Sequence, residues 1–145
     1  MLSDKIQLMS ESRGWWFNDV TKEYCDALLS IDVDIDSDFA QFYLHVEDSA
    51  TFYSRNQEIY QICWFSINSN YQLDLKRTYD SLKIPQNYIP LDNFEGGGGY
   101  FYNKDTEEVL FVSLGEKLND FLNGRLIPQW ENFNMFIEWF FELDD

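Results

Sequence analysis

The chain has 145 residues, 26 acidic against 10 basic, a net charge of −16 and a pI near 4.1. That length supports one domain with a core of its own, and an aromatic content of 19% excludes a disordered chain. The charge excludes a basic surface for nucleic acid or an anionic membrane and favours a cationic partner, or simply high solubility.

Met1 to Gly14 is polar and weakly patterned, which reads as a short helix or a loosely ordered arm. Trp15-Trp16-Phe17 is an abrupt aromatic cluster, expected to anchor that arm because three exposed rings are costly. From Asn18 onward, Val20, Tyr24, Ala27, Leu28 and Ile31 share one helical face. The run Asp32-Val33-Asp34-Ile35-Asp36-Ser37-Asp38 alternates as the start of a calcium-binding EF-hand loop does. Ser37 stands where that loop needs its glycine, however, and Tyr43 where it needs a bidentate glutamate. No metal is expected; Asp36 or Ser37 instead caps the next helix, Asp38 to Val46, whose Phe39, Phe42, Tyr43 and Val46 form an apolar stripe. His45, the only histidine, is expected at the core boundary, since a general base needs an orienting partner and none is identifiable.

Thr51 to Ser54 reads as a short strand and Arg55-Asn56-Gln57 as a turn. Glu58 to Ile67 is strongly apolar and reads as a second strand, with a buried helix left open because periodicity does not separate the two. Tyr71 to Leu82, with Lys76 and Arg77, reads as an exposed helix or a long excursion. The stretch Ile84 to Val112 is the expected centre of the fold. It holds three apolar segments, Tyr88–Leu91, Tyr100–Tyr102 and Val109–Val112, rich in aromatic and β-branched residues. Pro85 and Pro90 make the first of them short or an edge strand. Gly96 to Gly99 are expected to take positive φ and turn the chain into a hairpin, and Asn103 to Glu108 to connect its arms. Leu114, Leu118, Phe121 and Leu122 predict a helix stopped by Asn123-Gly124. Last comes Glu131 to Leu143, with Phe133, Phe136, Ile137, Phe140 and Phe141 on one stripe, expected to pack on the sheet; Met135 and Trp139 fall off it. The expected fold class is α+β, a twisted, mostly antiparallel sheet packed by helices in a single domain over 1–145.

Net charge is −8 over residues 1–50, −1 over 51–100 and −7 over 101–145, as a neutral central sheet flanked by acidic helices would give. Cys25 and Cys63 form no CxxC pair and are expected as free thiols. Met1-Leu2-Ser3-Asp4 lacks the basic start of a signal peptide and no apolar run reaches ~18 residues, so a cytoplasmic protein is expected. One histidine and two separated cysteines assemble no Ser-His-Asp, Cys-His or metal-ligand set, and Gly96–Gly99 is followed by no Lys-Ser/Thr of a phosphate loop. No enzyme activity and no cofactor are expected.

The order of features in the C-terminal 60 residues carries a resemblance. A proline-flanked YIPL strand leads to the glycine-rich step, then YFYN, a turn, EVLFV, a linker ending in Trp130 and a closing FNMFIEWFFEL helix; the earlier SDFAQFYLHV helix belongs with them. Over most of Asp36 to Leu143 this pattern resembles the SUKH superfamily of yeast cell-wall-assembly regulators and bacterial immunity proteins, though its motifs are loose hydrophobic signatures. The resemblance implies an immunity protein that binds and neutralises the cognate toxin of a polymorphic or contact-dependent system, often a nuclease, by occlusion and without catalysis. A basic toxin domain is the implied partner, met by a monomer or weak dimer. An inhibitor of net −16 would be steered to a basic phosphate-binding cleft, and the expected contacts are loop acids: Asp32, Asp34 and Asp36 in the first loop, Asp105, Glu107 and Glu108 in the hairpin turn. The alternative is a regulatory adaptor for a cytoplasmic protein unrelated to a toxin, which would present exposed Trp139, Trp15 or Trp16. A third idea, a mimic of DNA, needs carboxylates spaced like phosphates over one face.

Overall fold

The computed structural model describes residues 1–143 and is an α+β protein with two small antiparallel sheets. The chain divides into two compact units, unit 1 from residues 1–70 with 134–145 and unit 2 from residues 71–133.

Unit 1 opens with three helices, α1 (Asp4–Ser12), α2 (Lys22–Ser30) and α3 (Asp38–His45). Each starts on a hydroxyl that accepts an otherwise unpaired backbone amide: Ser3 from Ile6, Thr21 from Tyr24, Ser37 from Ala40. The expected arm is thus helix α1, which buries Ile6 and Met9. Trp15 docks the following segment against Phe52 and Phe141 at ring separations of 5.8 and 5.7 Å. The hairpin β1 (Thr51–Ser54) and β2 (Gln57–Tyr60) pairs buried Phe52 with buried Ile59, and Arg55 and Asn56 both take positive φ at its two-residue turn.

The expected strand from Glu58 to Ile67 ends at Tyr60, and its second half is helix α4 (Ile62–Asn68). The cause is Gln61. It is fully buried; its Oε1 accepts the amides of Cys63 and Trp64, and its Nε2 donates to the carbonyls of Tyr43 and Val46 at the end of α3. One amide thereby caps α4 and closes α3, and the apolar run is divided where no periodicity marks a break.

Unit 2 holds α5 (Tyr71–Lys76), a π-helical turn (Arg77–Ser81), the sheet β3 (Tyr88–Pro90), β4 (Gly98–Asn103), β5 (Val109–Ser113) and helix α6 (Glu116–Leu122). Strand order is β3-β4-β5, so the proline-flanked strand is an edge, as expected. Tyr71 to Leu82 is the helix of the two expectations rather than an excursion, with one exposed side and the other tied down: Tyr71 and Tyr79 donate their hydroxyls to the carbonyls of Pro90 and Tyr88 on that edge, both at 2.6 Å. The β5 edge is covered as well, by a Val109–Trp130 backbone pair and by Gln129 accepting the Phe111 amide. Leu82, Ile84, Phe94, Phe101, Leu110 and Val112 form the core, with Leu118 and Phe121 of α6 against it.

Only half of the glycine run turns the chain. Gly96 and Gly97 have φ of 71° and 79°, whereas Gly98 and Gly99 are extended within β4. Gly99 is needed for space, because a Cβ there would run into the carboxylate of Asp92. Helix α7 (Phe133–Phe140) carries four residues of the expected stripe and Phe141 follows just past its end, all five buried. Phe133 meets Tyr102 of β4 edge on; beyond it, in unit 1, Phe141 meets Phe52 of β1 and Trp15.

Candidate partner-binding site

The acidic loop ahead of α3 is built as its sequence alternates. Val33 is buried and the carboxylates of Asp32, Asp34 and Asp36 are exposed. Asp34 Oδ1 accepts the Asp36 amide at 2.9 Å and Ser37 donates to the Asp34 carbonyl at 2.6 Å, so the loop is a fixed turn that presents its acids at the surface. In the hairpin turn of unit 2, Asn103 Oδ1 accepts the amides of Asp105 and Thr106, Glu108 accepts the Thr106 hydroxyl, and Glu107 sits at φ 70°. Asp105 is exposed while Glu107 and Glu108 are half-buried. The structure therefore groups Asp32, Asp34 and Asp36 in unit 1 and Asp105, Glu107 and Glu108 in unit 2.

A third acidic site was not expected from sequence. Residues 15–17 run antiparallel to residues 45–47: the Phe17 amide donates to the His45 carbonyl at 2.7 Å, the Glu47 amide to the Trp15 carbonyl at 3.0 Å, and Trp16 bridges Val46. His45 turns its Nδ1 to the Phe17 carbonyl at 2.7 Å and stacks on Trp16 at 4.7 Å, rings 8° apart. It is half-buried, the boundary residue expected of it. This pairing brings the start of α2 round to the end of α3. Between them lies a cleft of about 280 Å³ lined by Phe17, Asp19, Glu23, Tyr24, His45 and Glu47. Tyr24 donates its hydroxyl to Glu47 Oε1 at 2.6 Å. Burial first, then the Glu47 carboxylate, pushes that hydroxyl well above the usual tyrosine range, so it stays a donor and fixes Glu47. Asp36 lines a neighbouring cleft of about 400 Å³ together with Asp4, Trp16 and His45.

The arrangement suits recognition of positive charge: carboxylates held on fixed backbone, with half-buried rings beside them. Among the described residues no group of three or more histidine, cysteine or acidic side chains could hold a metal ion, and no helix is long and apolar enough to cross a membrane. Cys25 and Cys63 are free, and burial keeps the Cys63 thiol protonated beside the Tyr24 carbonyl. The chain matches no protein-family model, no curated protein and no solved structure.

Proposed function

We propose that this is a cytoplasmic immunity protein of SUKH type, which binds the basic domain of a cognate toxin, such as a nuclease, and neutralises it by occlusion without catalysis. The observation that carries this is where the charge sits. Unit 1 holds 16 of the 26 acidic residues and only 4 of the 10 basic ones, net −12, and unit 2 holds the other 10 and 6, net −4. The exposed acids of the Asp32–Asp36 loop and the acid-lined cleft both belong to that strongly negative unit, and such a field steers a basic partner to its surface.

The adaptor reading has less support. Trp15, Trp16 and Trp139, which it needs exposed, are half-buried with partners: Trp15 on Phe52, Trp16 on His45, and Trp139 under the Arg55 guanidinium at 4.2 Å.

Co-expression with the toxic C-terminal domain encoded just upstream is the test. Restored growth and a co-purified complex, whose association slows by about tenfold or more between low and physiological salt, are the expected results. Toxicity unrelieved and no complex would end the neutralisation reading for that pair.

A further inference from the structure

Three carboxylates near one another would describe much of this surface; the cleft between α2 and α3 is different in kind. Its volume of about 280 Å³ lies below the ~300–1,000 Å³ of pockets that enclose small organic ligands, and is of a size for one long side chain. Its walls include two aromatic rings, Phe17 and Tyr24, and Phe17 is left 52% exposed. Its acids are Asp19, Glu23 and Glu47, and no lysine or arginine lines it. Glu47 is oriented in advance by the Tyr24 hydroxyl at 2.6 Å on one oxygen.

We propose that this cleft is the receptor for a single arginine side chain of the partner, its guanidinium meeting Glu47 and Asp19 and its flat face lying on Phe17 and Tyr24. Arginine fits better than lysine because a guanidinium is planar and weakly hydrated, stacks on rings and donates to two acceptors at once, while an ammonium is a compact, strongly hydrated point charge. The rings screen one face of the guanidinium from water, so its ion pair with half-buried Glu47 is stronger than one on open surface. This rests on the partner being basic, as proposed above, and specifies the anchor by which it is gripped.

The test is titration of the isotope-labelled full chain with acetyl-Gly-Arg-Gly-amide, followed by backbone amide NMR, beside the same peptide with lysine or citrulline. The expected result is movement of the Phe17, Tyr24 and Glu47 amides with the arginine peptide, weaker movement with lysine and none with the uncharged citrulline. Glu47→Gln keeps an acceptor for Tyr24, and Asp19 is exposed, so Glu47→Gln and Asp19→Asn retain the fold; each weakens binding about tenfold, as removal of one charged hydrogen-bond partner does. Equal binding of lysine, or movement spread over the Asp32–Asp36 loop and unchanged in both variants, overturns the proposal. The two readings also fail separately. A toxin complex unweakened by the double variant removes the cleft and keeps neutralisation, whereas an arginine peptide held by a chain that rescues no toxicity keeps the cleft and removes neutralisation.

Discussion

Asp92 shows how one buried acid ties stability to pH. Burial pushes its carboxyl up to about 7, against the opposing pull of the Phe94 and Tyr100 amides and of Arg77. Its folded pKa thus lies above its unfolded one, so its contribution is fully present below about pH 4 and is lost as pH rises towards 7. Thermal melts should therefore fall over that window, and Asp92→Asn, which has no proton to lose, should flatten the fall relative to the parent chain. A second residue-scale prediction concerns Gly99. An added Cβ meets the Asp92 carboxylate, so Gly99→Ala should cost about 2 kcal/mol in denaturant unfolding. Gly98→Ala should cost less, because what its Cβ meets is the tip of the Phe111 ring, which can swing aside. Gln61 stands highest in this group. Gln61→Leu strands two amides and two carbonyls in the interior of unit 1 and should destabilise it by about 3 kcal/mol, read as a lower denaturation midpoint at unchanged slope.

At the scale of elements, the β1–β2 hairpin and α7 are linked by one side chain. Arg55 adopts φ 56° in the turn, its Nε donates to the Trp139 carbonyl at 2.8 Å and its guanidinium covers the Trp139 ring. Arg55→Gly relieves the turn backbone but removes both contacts, so a net loss of about 1 kcal/mol is expected, with altered tryptophan fluorescence as the direct signal. Why some elements were legible in the sequence and others not follows from such pairs. The hairpin β4–β5 and helix α7 were readable because their apolar residues recur at one period and their ends carry strong turn chemistry. Residues 58–67 were not: the boundary is set by Gln61, an uncommon cap, through carbonyls 15 and 18 residues away. The attachment of residues 71–82 to the sheet is not legible in sequence because its two anchoring tyrosines act by hydroxyls on a strand edge, which periodicity does not register. The acids of the 32–38 loop were visible as an alternation within seven residues. The cleft was not, since it exists only after residues 15–17 pair with residues 45–47, and nothing local in either segment announces the other.

For the molecule as a whole, charge is distributed unequally over the chain, and the division has consequences for binding kinetics. Reversing Asp32 and Asp36 to lysine takes unit 1 from −12 to −8 and should lower the association rate with a basic partner several-fold, by about threefold to tenfold at low salt. Dissociation should change little, because exposed charges act mainly on encounter. The order in which the chain is laid down differs from the order in which it is spatially grouped. Residues 71–133 form a complete unit, while unit 1 draws on both the first 70 residues and those from 134 onward. Its closure joins Ser3 to Asn134, whose Oδ1 accepts the Ser3 amide across 131 positions. The middle of the chain is thus grouped from one continuous stretch, whereas the N-terminal segments pack against Phe141 from the far end of the sequence, and the acid-lined surface belongs to the discontinuous unit. A released chain truncated after Phe133 should show protected amides in β3 to β5 and protease-sensitive backbone in β1 and β2, which would make the acid-lined surface the last part of the fold to be completed.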